Sequence, residues 1–409
     1  MVFTAASQTI IVTPILPIIG DALNVPEARW GRLITVYSIA LAVAALVMGP
    51  VSDRIGRRRI LLIGSGSLTI ALALHGLVSS FESLLAARAL AGACGGVLSG
   101  AAVAYVGDYF PYERRGWATG LVMSGIPFGL VIGVPLGRVL AAGLGFLTPF
   151  LSFAALMGVA FVLILLVVPQ PDVDSEKSRM TFRGTVAGYG RLIVKPDVLV
   201  ASLTYFLMYL GLSLLVVYLP EWLTAQFALE ITIFGRPLTM FGLDIDLIAA
   251  VFLVGGFAGV FAGPIAGSVS DTMGRKPLIL ASCIGLVIVT LALTYVVTER
   301  WLAYPAYILI MMLFAMRMSP LQALLTAIVP AHQRGSFMSL TIAIGQTGTA
   351  IGAFVAGFLY AGAGYRTTTF ASAATVLVLA VLVWRFLPEP TEDAVRVPEE
   401  VPTIPGAGG

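Results

Sequence analysis

Gly49-Pro50-Val51-Ser52-Asp53-Arg54-Ile55-Gly56-Arg57-Arg58-Arg59 is answered later in the chain by Gly267-Ser268-Val269-Ser270-Asp271-Thr272-Met273-Gly274-Arg275-Lys276. The two aspartates stand 271 − 53 = 218 residues apart. Each copy closes one apolar stretch and opens the next. A second marker repeats at nearly the same interval: Arg115-Gly116 and Arg334-Gly335 are 334 − 115 = 219 residues apart. Two markers sharing one offset, in a chain of 409 residues, describe two related halves.

Composition identifies the solvent. The chain is 58% hydrophobic and 11% charged, with a mean hydropathy of +0.98. A soluble chain carries about 25% charged residues. Apolar stretches of roughly 20 residues, each long enough to cross a bilayer, recur from end to end. Twelve spans are read at roughly 3–20, 31–50, 59–79, 83–106, 117–140 and 146–168, then at 198–219, 246–267, 277–297, 303–327, 336–360 and 367–387. Met1 to Gly20 has neither a basic n-region nor a small-residue cleavage site, so it reads as the first span and not as a signal peptide.

The expected fold is an all-α membrane protein, with twelve transmembrane helices in two pseudo-symmetric six-helix bundles. The first bundle takes residues 1–168 and the second 198–387. Between them, 169–197 is a charged cytoplasmic linker in which a short amphipathic surface helix is expected. Residues 388–409 are rich in Pro and Glu and read as a disordered cytoplasmic tail. Residues 220–245 form a long outside loop, expected to fold as a hairpin about Gly235-Arg236-Pro237.

Basic residues orient the chain. With residue 1 in the cytoplasm, sixteen Lys and Arg fall inside, among them Arg54, Arg57, Arg58, Arg59, Arg114, Arg115, Arg275, Lys276 and Arg334. Six fall outside: Arg29, Arg32, Arg138, Arg236, Arg300 and Arg366. The excess places both termini in the cytoplasm. The net charge of +3 fits basic loops facing anionic lipid and gives no footprint for nucleic acid. Cys94 and Cys283 sit inside apolar helices as packing residues and offer no disulfide framework.

The repeated Gly-x-x-x-Asp-Arg-x-Gly-Arg-Arg pattern resembles the loop signature of the major facilitator superfamily, with Thr272 replacing the arginine in the second copy. The resemblance covers essentially the whole chain. It implies a transporter working by alternating access, in which two bundles rock about a shared site at mid-membrane. The family places the acceptor for the loop aspartate at the start of the eleventh span, near Gly335. Asp53 is an anion able to sit near a neighbouring helix N-terminus. With Arg57 or Arg58 paired to Asp108, and with Asp271 and Arg275 in the second copy, the loops are expected to form a latch on the cytoplasmic side.

Glycines recur every fourth residue in two spans: Gly125, Gly129, Gly133 and Gly137 in the fifth, and Gly255, Gly259, Gly263 and Gly267 in the eighth. Such ridges let backbones approach closely in lipid, and the two spans are expected to pack together. Gly129-x-x-x-Gly133-Val134-Pro135-Leu136-Gly137 also resembles the antiporter motif of the drug- and sugar-efflux branch, with Arg138 standing where that motif has a glycine.

Two guanidiniums, Arg88 and Arg317, fall within spans, where a charge is costly and a functional role is the default. None of the 21 Asp and Glu falls deep within a span. A chamber with arginine and no carboxylate is positive, and it selects a solute with an anionic group. Gln8, Thr9 and Thr13 in the first half, with Tyr205, Tyr209, Gln322 and Gln346 in the second, are candidate lining groups. His75 is a packed histidine or a titrating one.

The leading expectation is a monomeric secondary active transporter of a small amphipathic or anionic solute, an exporter in the cell (inner) membrane. Proton coupling through residues at helix ends is left open, with antiport as its form. Uptake or exchange of an organic anion is the first alternative. A transport-dead receptor or lipid scramblase on the same architecture is the second. An enzyme is not expected. There is no nucleotide-binding Gly-x-x-x-x-Gly-Lys-Ser/Thr loop, no metal-ligand cluster and no cofactor motif, and the chain has two histidines.

Overall fold

The computed structural model describes residues 1–98, 101–110, 112–170, 190, 193–233, 236–240, 242–328 and 334–387. The expected linker helix and the tail lie outside the described residues, apart from the linker's two ends. Among the described residues eleven helices are long and apolar enough to cross a membrane, and a bent pair, counted as one span, makes twelve. Large apolar side chains such as Ile70, Val167, Phe261 and Leu377 stay exposed on the outside of the bundle. That is the surface a hydrocarbon solvent requires, since polar side chains facing lipid are costly, and the helical form satisfies every backbone amide within the segment.

In the first half the spans are Val2–Ile10 with Val12–Leu23, then Arg32–Ile55, Arg57–Ala73, Phe81–Leu98 with Ala101–Tyr109, Tyr112–Met123 continuing to Val134–Leu144, and Thr148–Val167. In the second half they are Pro196–Val216 with Leu219–Gln226, then Leu247–Met273, Arg275–Val296, Ala303–Ile328, Arg334–Ala363 and Tyr365–Phe386.

The first span bends by 54° at Ile11. Pro14 has no amide to offer the carbonyl four residues back, which weakens the helix at this point. The fifth span carries a π-helical turn over Gly129–Gly133, a feature that often marks a functional segment.

The duplication holds in atomic detail. Gly56 and Gly274 carry φ of +97° and +90°, and Gly145 and Gly364 carry +96° and +76°. The pairs are 274 − 56 = 218 and 364 − 145 = 219 residues apart. Arg58 Nε donates to the Val168 carbonyl at 2.5 Å and its Nη2 to the Leu165 carbonyl at 2.8 Å. Lys276 Nζ donates to the Leu387 carbonyl at 3.1 Å. A cation opening the third span thus caps the end of the sixth, and its counterpart opening the ninth caps the end of the twelfth. Both complete orphan carbonyls at the negative helix end.

The outside loop differs from the expected single hairpin. Leu219–Gln226 is helical and extends the seventh span. Beyond it are two small antiparallel pairs, β1 Thr232–Ile233 with β2 Arg236–Pro237, and β3 Thr239–Met240 with β4 Leu243–Asp244. Arg236 and Pro237 therefore lie in a strand and not in the turn.

Among the described residues, hydrogen bonds between the halves lie toward the end away from the basic loops. Tyr218 Oη donates to the Glu27 carbonyl at 2.6 Å and accepts the Gly31 amide at 3.1 Å. Thr35 Oγ1 donates to the Ala350 carbonyl at 2.8 Å. A Cβ on Gly31 would strike the Ala353 carbonyl, and one on Gly357 would strike that of Ala28. The second and eleventh spans are therefore in backbone contact across the divide.

The glycine ridges serve other partners. Gly125, Gly129, Gly133 and Gly137 face Val2, Phe3, Ser7 and Ile11 of the first span, and Gly255 and Gly259 face Tyr307 and Met311 of the tenth. The fifth and eighth spans do meet, but through Val131 against Gly256. Close approach in lipid favours any backbone partner, and here the nearest one lies within the same half.

Candidate functional site

The first-half interior is built around Arg88. Gly92, one turn further on, lies against the backbone of Tyr37, which draws the fourth span onto the second and lays the guanidinium over the Tyr37 ring at 4.1 Å. Arg88 Nη2 donates to the Gln8 carbonyl at 2.9 Å, just before the break in the first span. Phe150 of the sixth span lies 5.8 Å from the guanidinium and stacks on His75 at 4.3 Å. Arg88, Gln8, Tyr37 and His75 are all fully buried.

This interior is under-satisfied. Among the described residues, Arg88 Nε and Nη1, both amide atoms of Gln8 and His75 Nε2 have no hydrogen-bond partner. Buried polar groups left unpaired are costly. No carboxylate among the described residues pairs with Arg88. Chemically the cluster is one buried cation with no anionic partner among the described residues, set among neutral groups that can both donate and accept, His75 Nδ1 being committed to the Ala71 carbonyl at 2.9 Å.

Arg317 sits differently from its expected place in a central chamber. It is 1% exposed, packed beside Cys283 of the ninth span and 5.3 Å from the Phe314 ring. Among the described residues its three guanidinium nitrogens find no oxygen acceptor, with the Cys283 sulfur their one polar neighbour. The fourth span shows why the tenth turns this way. Leu98 there packs on Gly64 of the third span, and adding 219 to each number gives Arg317 and Cys283. The repeat places Arg317 on the face turned toward its own half.

Second-half candidates meet on the other side of Phe314. Tyr205 and Tyr209 bring their hydroxyls to 3.5 Å. Tyr209 packs edge-on to Phe314 at 6.1 Å and reaches the Met318 sulfur at 4.0 Å. Gly345 lies beneath both tyrosine rings. Gln346 is half-buried with an unpaired Oε1. Gln322 is half-buried in the last turns of the tenth span, and Thr13 is buried beyond the break in the first. A cavity of about 560 Å³ opens among Trp222, Gln226, Tyr360, Tyr365 and Arg366 at the end of the second half away from the basic loops. Neither Arg88 nor Arg317 lines it.

In the expected latch, Asp53, Asp108 and Asp271 occupy the closing turns of their helices, and their side chains lie outside the described residues. Arg57 and Arg275 open the third and ninth spans. Arg58 Nε and Nη2 donate to carbonyls at the end of the sixth span. Arg138, placed among the outside residues by sequence, is instead buried within the fifth span and ion-paired to Asp246. The pattern signalled both partners: Arg138 replaces a glycine of the resembled motif, and Asp246 stands where an N-cap precedes an apolar run.

The architecture and the buried polar interior define a multi-pass membrane transporter. The family model of the Major Facilitator Superfamily matches residues 1–243 and 201–405, and the chain belongs to that superfamily. It is therefore a transporter of small molecules and not an enzyme. Over 381 residues it is 24% identical to the multidrug resistance protein MdtG of Proteus mirabilis (strain HI4320), covering 91% of this chain and 90% of that one. It is 26% identical to the class E tetracycline resistance protein of Escherichia coli over 374 residues, 88% of this chain and 86% of that one. A bacterial homologue of the human lysosomal transporter Spinster, solved inward-facing and unoccupied, superposes with a TM-score of 0.72 at 15% identity, over 94% of both chains.

Proposed function

We propose that the protein exports a small amphipathic solute bearing an anionic group across the cytoplasmic membrane, by alternating access of a site between the halves. The observation that carries the anionic part is the buried Arg88 guanidinium, which has no carboxylate partner among the described residues and leaves Nε and Nη1 unpaired beside Gln8, Tyr37 and His75. A carboxylate would supply the missing counter-charge, and guanidinium binds it in a two-pronged way. The aromatic wall of Tyr205, Tyr209 and Phe314 supports an apolar or ring-bearing remainder. The relatives named for drug resistance support export.

Access to Arg88 requires movement of Val2–Ile10. That segment packs within its own half, whereas Val12–Leu23 also meets the seventh and eighth spans. With the basic loops cytoplasmic, closure at the opposite end corresponds to an inward-facing state with both termini inside.

The test is flux of a fluorescent amphipathic carboxylate in proteoliposomes. Arg88→Lys keeps the charge but loses the fork, and its half-saturation is expected to rise about tenfold. Arg88→Met is expected to abolish saturable flux while purified protein still melts cooperatively. Saturable flux unchanged in both variants would refute the site. Flux driven by a pH gradient marks proton coupling; strict dependence on counter-solute marks exchange.

A further inference from the structure

Arg138 holds three elements at once. Its Nε donates to Asp246 Oδ2 at 2.7 Å, and Nη2 lies 2.6 Å from the same oxygen. Its Nη1 donates to the Pro14 carbonyl at 2.9 Å, three residues past the break in the first span. The other oxygen of Asp246, Oδ1, accepts the Ala249 amide at 2.8 Å and so caps the eighth span. The arginine side chain is 4% exposed and the aspartate 15%. Two of the three elements, the first and fifth spans, belong to the first half; the start of the eighth belongs to the second.

We propose that Arg138–Asp246 is the latch holding the halves together at the end away from the basic loops, and that Arg138 ties this latch to the bent first span. The proposal rests on alternating access but not on the identity of the solute. A device biases a two-state equilibrium only if its free energy differs between the states. This pair meets that condition. Closed, the charges are buried against each other; apart, each returns to water.

The surroundings make Arg138 the dominant partner. Asp21 and Glu27 of the first half act on Glu221 of the second, and Arg138 acts on the same carboxylate with the opposite sign. Tyr304 of the tenth span also lies within the field of Asp246, and Glu230 is bridged to Asp246 through the backbone. Without Arg138, Glu221 of the second half keeps the like charges of Glu27 and Asp21 and loses the one cation that acts on it, so repulsion adds to the lost pair. Without the Asp246 charge, Arg138 retains Glu221. A pair that served only to hold one helix in place would show no such asymmetry.

The experiment measures spin-label distances across the far end, between Ala22→Cys and Thr298→Cys, in the full chain in liposomes with Cys94 and Cys283 replaced by serine and no solute added. The unmodified pair is expected to give mainly the short distance. Arg138→Met is expected to raise the ratio of long to short populations at least about tenfold, since one member of a buried pair is left uncompensated. Asp246→Asn keeps the cap and removes the charge, and is expected to shift the ratio the same way by less. Arg138→Lys is expected to restore most of the short population. Unchanged ratios in Arg138→Met and Asp246→Asn would overturn the latch, as would an Asp246→Asn effect larger than that of Arg138→Met. Because no solute is present, failure here is distinct from failure of the anionic-solute reading.

Discussion

At Gly56 and Gly274 the chain leaves one helix and enters the next with φ near +90°, a region closed to ordinary L-residues. The repeated motif displayed both glycines, but only the backbone shows why each is needed: with ψ of 140° and 147° the conformation is one that glycine alone adopts readily, and a Cβ there costs about 1–3 kcal/mol. Gly56→Ala and Gly274→Ala are each expected to destabilise the protein by about that much, read as a lower midpoint on heating in detergent. An unaltered midpoint in both would remove the strain argument. The two intramembrane arginines were equally visible in sequence. Their directions were not. Arg88 turns to the first span and Arg317 to the ninth because each follows the packing of its own half.

At the scale of the helix, the basic cluster opening the third and ninth spans has a second task besides orienting the chain. Arg58 and Lys276 close the carbonyl ends of the sixth and twelfth spans. A cation in the last turn contributes about 0.3–1 kcal/mol. Arg58→Ala and Lys276→Ala are expected to lower stability by that order each. Lying in different halves, they should combine additively in the double variant, as distant sites do. Strong non-additivity in unfolding measurements would show that the two caps communicate. The sequence displayed the basic residues but not their acceptors, since a carbonyl leaves no mark in composition. The bend in the first span was likewise half-legible. Pro14 and Pro17 announce a weak point, but the read span of 3–20 ran through it.

For the whole molecule, the divide between the halves is bridged by backbone contact of the second and eleventh spans and by the Arg138–Asp246 pair. Alternating access requires this contact to part. Thr35→Cys with Ala350→Cys, joined by a short bifunctional thiol reagent, is expected to stop flux of the amphipathic carboxylate. The same variant left unjoined is expected to transport. Undiminished flux in the joined protein would mean that the halves do not separate at this point.

The sequence by itself determined the solvent, the duplication and the succession of spans. Hydropathy is a sum over neighbours along the chain, and a repeat is a comparison of the chain with itself. Only the tertiary structure decided which face each helix buries. Arg138 finds its counter-charge 108 residues away, and the glycines chosen as an interface between halves found nearer partners within one. A helix presents several faces of similar character, and the neighbours that choose among them are set by the packed bundle as a whole.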